Sequence, residues 1–135
     1  MAITPLTKKR EIYSDLPMSF AVNPVSNDVT RKINEEAVKE SIKNLILTDK
    51  GERLFQPNVG CNIRSQLFEN YTQQTVDIMK DLIRTTIVNY EPRCEIINIE
   101  ISGEIDANEM TITITFAIIN TTEPVTLSVV LNRIR

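Results

Sequence analysis

Tyr90-Glu91-Pro92-Arg93 is the stretch on which the fold reading turns. From about Asn34 up to it, apolar residues recur at helical spacing; beyond it they alternate as in a β-sheet. Proline has no backbone N–H to donate and pushes the residue before it out of the α region. Pro92 therefore predicts the end of a long helix near Tyr90. It also predicts Glu91 and Arg93 displayed on an extended segment, two residues apart across a stiff ring. The local reading is a helix stop, with Arg93 on the last helix carbonyls and Glu91 in a surface ion pair.

Working back from the tetrapeptide, Val76, Met79, Ile83, Ile87 and Tyr90 form one apolar stripe, and Asp77, Lys80, Asp81 and Arg84 mark a wet side. This predicts a helix beginning after Thr72. A short helix is expected over Ile63 to Glu69, with Asn62 as its cap and Ile63, Leu67 and Phe68 facing inward. An earlier helix is expected from Glu35 to Leu47, capped by Asn34. Its stripe is Val38, Ile42, Leu45 and Ile46, with Glu35 and Glu36 at the favourable end of the dipole. Between them, Gly51 is placed for a left-handed conformation after the helix. Leu54, Phe55 and Pro57 read as apolar pins of a structured connection. Lys50 and Gly51 do not make a phosphate loop, since the segment leaves a helix instead of opening one.

Forward of the tetrapeptide, three strands are expected. Glu95, Ile97, Ile99 and Ile101 alternate with Ile96, Asn98, Glu100 and Ser102. Met110, Ile112, Ile114, Phe116 and Ile118 alternate with threonines, and Val125, Leu127, Val129 and Leu131 with Thr126, Ser128 and Asn132. Polar turns at Gly103 to Glu109 and Asn120 to Pro124 predict an antiparallel meander. The fold class is α+β: two main helices and a short one on one face of a three-stranded sheet, preceded by an extended N-terminal arm. The boundaries expected are an arm over 1–30 and one domain over 31–135, with helices in 35–90 and sheet in 94–134. The arm has no period; Ile12, Leu16, Phe20 and Val22 read as its anchors.

Composition narrows the chemistry. The chain has 135 residues, a net charge of −3 and no histidine. The commonest general base and metal ligand is thus missing, and the charge argues against nucleic acid as the main partner. The acid is concentrated after Arg93, so a partner docking on the sheet should be neutral or basic. No apolar run approaches membrane-span length, and Met1 to Glu11 lacks the apolar core of a signal peptide. Cys61 and Cys94 match no ligand spacing and read as reduced, small apolar residues. No cofactor or metal site is expected. The one conceivable acid pair sets Glu91 with Glu52, Glu69 or Asp49, but Arg93 should lower the Glu91 pKa, the wrong direction for a general acid. The third strand carries no charge over Val125, Thr126, Leu127, Ser128, Val129, Val130 and Leu131. Such an edge reads as a site where a partner strand adds to the sheet.

Several segments, in order, resemble one family: Ser41-Ile42-Lys43-Asn44-Leu45, Thr48, Lys50-Gly51-Glu52-Arg53, Phe55, Pro57, Gly60-Cys61, Leu67-Phe68-Glu69-Asn70 and Asn89-Tyr90-Glu91-Pro92-Arg93. It is the small baseplate wedge protein, or sheath initiator, of contractile-tailed bacteriophages, sometimes called lysozyme-like. Related subunits occur in type VI secretion and phage-tail-like particles. Ile12-Tyr13-Ser14-Asp15 also looks like the start of phage members; Cys94, where an aliphatic residue is expected, is a mild departure. The resemblance implies a structural role in the virion tail baseplate. Glu91, Pro92 and Arg93 would contact the bundle of neighbouring wedge subunits. The C-terminal sheet would accept arms of the tail sheath protein. Tail tube-proximal proteins are left open as further contacts, and no nucleic acid, membrane or small-molecule substrate is implied. The competing reading is a tail-associated cell-wall glycosidase.

Overall fold

The computed structural model describes residues 10–104, 109–121 and 123–132, and it divides into two compact units, Met1–Ala37 and Val38–Arg135. The expectations for Met1 to Lys9, for the tip of the first sheet turn, for Thr122 and for 133–134 lie outside the described residues.

In the first unit the arm doubles back on itself. Strand β1 (Ser14–Asp15) pairs antiparallel with β2 (Lys32–Ile33), and Val22 bridges Val29. The turn between them is closed by Asn23 N–H donating to the Asp28 carbonyl at 2.8 Å, with the Asn23 side chain accepting from Val25 N–H at 2.9 Å. Two-residue strands carry too little periodicity to be read from sequence. The supposed anchors Ile12, Leu16, Phe20 and Val22 are all exposed. Asn34 does not cap the helix as expected. Its backbone is left-handed, its Oδ1 accepts from Ile12 and Tyr13 N–H, and its Nδ2 donates to the Arg10 carbonyl. The carboxamide is thus used on the returning strand, not on the helix.

Helix α1 (Glu35–Leu47) and helix α3 (Gln73–Tyr90) have the bounds the periodicity predicts. In the second unit α1 buries Val38, Ile42, Leu45 and Ile46, while α3 buries Val76, Met79, Ile83 and Ile87. Thr72 caps α3, its Oγ1 accepting from Thr75 N–H at 3.3 Å. Helix α2 (Ile63–Gln66) is one turn, shorter than expected. Asn62 stands before it in a left-handed conformation with no side-chain cap bond, and only Ile63 is fully buried, while Phe68 is exposed.

Strands β3 (Cys94–Glu104), β4 (Glu109–Ile118) and β5 (Pro124–Asn132) form an antiparallel meander in that order. β4 is central, and its inward residues Met110, Ile112, Ile114, Phe116 and Ile118 are all buried, which is why its period-2 signal is the cleanest. α3 packs on β3. One expectation fails in β3. Ile96 faces Phe116 and Asn98 faces Thr115, so Ile97 is an extra, bulged residue. The bulge turns Ile97 out to 57% exposure and puts Ile96 on the inner face ahead of it and Ile99 behind it.

Candidate functional site

The expected display of Glu91 and Arg93 is corrected by the structure. α3 stops at Tyr90 because Pro92 follows. Glu91 N–H still donates to the Ile87 carbonyl at 2.8 Å, but its φ of −128° and ψ of 78° have left the helix. Pro92 and Arg93 form a turn before β3, not the extended segment expected, and the turn folds the chain back on itself. Arg93 therefore reaches back onto Glu91: Nε donates to Oε1 at 2.6 Å and Nη2 to Oε2 at 2.8 Å. Ser41 on α1 donates its hydroxyl to Oε2 at 2.5 Å. The Arg93 carbonyl accepts from Ile119 N–H at 3.0 Å, just past β4. The Glu91 side chain is 2% exposed and that of Arg93 24%, so the carboxylate is interior and the guanidinium half-buried. Arg93 is thus bidentate on Glu91 of its own chain, and not on the last helix carbonyls as expected. The exposed group of the three is Pro92.

Burial alone would push the Glu91 pKa up, but the hydrogen bonds from Arg93 and Ser41 and the charge of Arg93 outweigh it and hold it below the ordinary carboxylate range. That is the direction expected from the sequence, and it leaves an ionised acid with both oxygens engaged. Burial raises the thiol pKa of Cys61, and burial with the neighbouring Glu91 charge raises that of Cys94 to about 11. Both thiols are free and protonated at neutral pH, hence weak nucleophiles. Among the described residues no cluster of three or more metal-ligating side chains occurs.

A second correction concerns residues 48–61. The segment is structured, as expected. Cys61 N–H donates to the Thr48 carbonyl at 3.0 Å, Gly51 N–H to that of Pro57 at 2.7 Å, and Tyr90 Oη to that of Asn58 at 2.9 Å. Gly60, at a φ of 133°, is required there, since a Cβ would stand 2.5 Å from the Thr48 carbonyl oxygen. Gly51 is left-handed, as predicted. Yet Leu54 and Phe55 are not pins: they are 93% and 97% exposed. Beside them lies a cleft of about 670 Å³, walled by Ser41, Asn44 and Leu45 of α1, by Arg53 and Phe55, and by Tyr90. Sequence reasoning missed this cleft. Its only signal is two large apolar residues in a stretch with no period to say which way they face.

The segment expected to take a partner strand, Val125 to Leu131, lies in β5. β5 is an edge strand; among the described residues no strand pairs with its outer side. Val125, Val129 and Leu131 are buried, Leu127 is half-buried, and Thr126, Ser128 and Val130 are exposed.

These features define a small α+β subunit whose buried charges fasten its own fold and whose sheet ends in an uncharged open strand. That is the construction of an assembly component. The chain belongs to the baseplate wedge protein gp25 family, whose model matches residues 33–123. It is 32% identical over 110 residues to baseplate wedge protein gp25 of Enterobacteria phage T4, covering 82% of this chain and 83% of the relative. Its fold is similar to that of a chain in the anti-feeding prophage baseplate, with a TM-score of 0.71, 23% identity, and coverage of 82% of this chain and 89% of the other. A Geobacter sulfurreducens protein provisionally called a tail lysozyme shares the fold at a TM-score of 0.68 and 24% identity, covering 75% and 92% of the two chains.

Proposed function

We propose that this chain is a structural subunit of a contractile-tail baseplate, assembled into a wedge with other baseplate proteins and located in the tail of the particle. Family membership supports this much. The finer reading is that it initiates the tail sheath by accepting a sheath strand on the outer edge of β5. The observation that carries it is an edge strand with no charge from Val125 to Leu131, whereas the other edge strand, β3, carries Glu95 and Glu100. Exposed edges are normally blunted by charge, proline or a cover, and from Val125 to Leu131 this strand carries neither charge nor proline. Each added ladder bond is worth only about 1 kcal/mol net, so several must form together, which an uninterrupted strand allows. In the same reading Pro92 and the exposed part of Arg93 contact the baseplate core, with Glu91 fixing the guanidinium for that contact.

No hydrolase activity is part of the proposal. An ionised, doubly engaged Glu91 cannot donate a proton to a leaving group, and turnover of peptidoglycan by the purified chain that Glu91→Gln abolishes would restore the glycosidase reading. The sheath reading is tested by Ser128→Pro, which removes one backbone donor from β5. Baseplates that assemble but start no sheath are expected; normal sheath growth from the variant overturns sheath initiation on this edge.

A further inference from the structure

The two edges of the sheet leave different backbone groups free. Ile119 N–H donates to the Arg93 carbonyl at 3.0 Å, just beyond the pair Cys94 and Ile118. Backbone direction alternates along an antiparallel ladder, so odd-numbered residues of β4 turn N–H and C=O to β3 and even-numbered ones to β5. The β5 partners of Met110, Ile112, Ile114 and Phe116 are Leu131, Val129, Leu127 and Val125. Those four are therefore bonded to β4, and Thr126, Ser128 and Val130 turn N–H and C=O outward. Pro124 shares the outward parity, where its missing N–H costs the β4 ladder nothing.

On β3 the same alternation turns Ile99, Ile101 and Gly103 outward. That edge is obstructed. Ile97 bulges, Glu95 and Glu100 are exposed, and the Ile101 carbonyl accepts from Tyr71 Oη at 3.4 Å. From Val125 to Leu131, β5 has neither bulge nor charge.

This run is its own complement. A twofold axis through Ser128 sets β5 antiparallel to β5 of a second copy. On the outer face Ser128 then meets its equivalent, and Thr126 meets Val130 of the second copy. On the inner face Val125 meets Leu131, and Leu127, half-buried at the open edge, is covered by Val129. Apolar faces apolar on the inner side, no charge meets a charge, and the outward groups form about six ladder bonds. Self-complementarity about one axis is what an isologous contact requires.

We propose that in the free subunit β5 pairs with β5 of a second copy about Ser128, closing the edge that a sheath strand would take. One strand per copy is a small contact beside the roughly 20–30 residues a side of a stable interface, so the pair yields to a strand held in place by the particle. That consequence rests on the reading of β5 as the sheath-accepting edge; the pairing itself rests on the strand alone.

The test uses the full chain. In Ser128→Cys the two equivalent Cα atoms would stand about 5.5 Å apart, within disulfide reach. Mild oxidation with diamide should link this variant into dimers and leave the unaltered chain, with Cys61 and Cys94, unlinked. Thr126→Cys should not link to itself, its copies lying about 13 Å apart along the strands, yet should link to Val130→Cys. Sedimentation of the unaltered chain should shift from monomer to dimer with concentration. Ser128→Lys sets like charges face to face and should weaken the dimer about tenfold or more. A monomer at every concentration, equal linking of Thr126→Cys and Ser128→Cys, or a dimer that Ser128→Lys leaves unchanged overturns the pairing. In particles, the oxidised Ser128→Cys dimer should start no sheath until it is reduced. If it starts sheaths while still linked, the sheath reading of β5 falls and the pairing stands. A chain that never pairs yet starts sheaths overturns the pairing and leaves the sheath reading intact.

Discussion

The join at Glu91 and the loop at Phe55 invert the same rule in opposite directions. Glu91 is a charged residue at 2% exposure, and Phe55 is an aromatic one at 97%. Charged side chains are almost never fully buried unless paired, and large apolar groups side by side are seldom left wholly in water. At the join the exception is resolved inside the chain, because Arg93 and Ser41 compensate the carboxylate. At the loop nothing among the described residues covers the exposed apolar surface, and the backbone hydrogen bonds of the segment hold it in place. Ser41 belongs to both places: its hydroxyl bonds Glu91 and it forms part of the cleft wall. The contrast separates residues that hold the subunit together from residues offered to something else, a separation that residue type alone would have made the other way round.

The comparison can be broken most easily at the join. Glu91→Gln leaves a half-buried guanidinium without its counter-charge. Removing one partner of a buried pair costs about 3–5 kcal/mol, and the partial exposure of Arg93 reduces that to about 2–4 kcal/mol. The free chain should melt well below the parent; an unchanged melting temperature would mean that the pair does not hold the fold. The same pair sets an acid dependence. Because the folded Glu91 pKa is depressed, its contribution is fully present above the ordinary carboxylate range and is lost as pH falls through the folded value. The gap between parent and Glu91→Gln should therefore narrow from pH 7 towards strongly acid solution, and a gap that widens contradicts the assignment.

What was legible follows the same division. Helices α1 and α3 were readable to the residue because four or five apolar side chains repeat at one angle, and β4 because every second residue is buried. β3 was misread at one point. Ile96 and Ile97 are adjacent and equally apolar, so either fits the inner face, and only the pairing across to Phe116 chooses. The burial of Glu91 was not legible, since the decisive hydroxyl of Ser41 lies 50 residues away. Phe55 was misread because an apolar residue outside any periodic element is assigned to the core by default.

Smaller effects sharpen the contrast. Arg93→Lys keeps the charge but loses the planar fork that fills both carboxylate oxygens. A loss of about 1–2 kcal/mol is expected in denaturant unfolding, less than for Glu91→Gln; no loss would return Arg93 to a purely external role. Phe55→Ala should change the stability of the free chain by no more than about 0.5 kcal/mol, because the side chain touches little of its own fold. A large destabilisation would show that the ring is buried in solution and that the loop does not stand apart from the join.

The Ser41–Glu91 hydrogen bond also has a kinetic meaning. The three strands meet their neighbours through successive short turns, so the sheet can form from contacts close in sequence. The bond from α1 to the end of α3 closes a 50-residue interval and requires both helices to be docked first. It belongs late on the folding route, among interactions absent from the transition state. Weakening it should therefore leave the rate of folding almost untouched and hasten unfolding. The half-buried hydroxyl acts as a latch on the lifetime of the finished subunit.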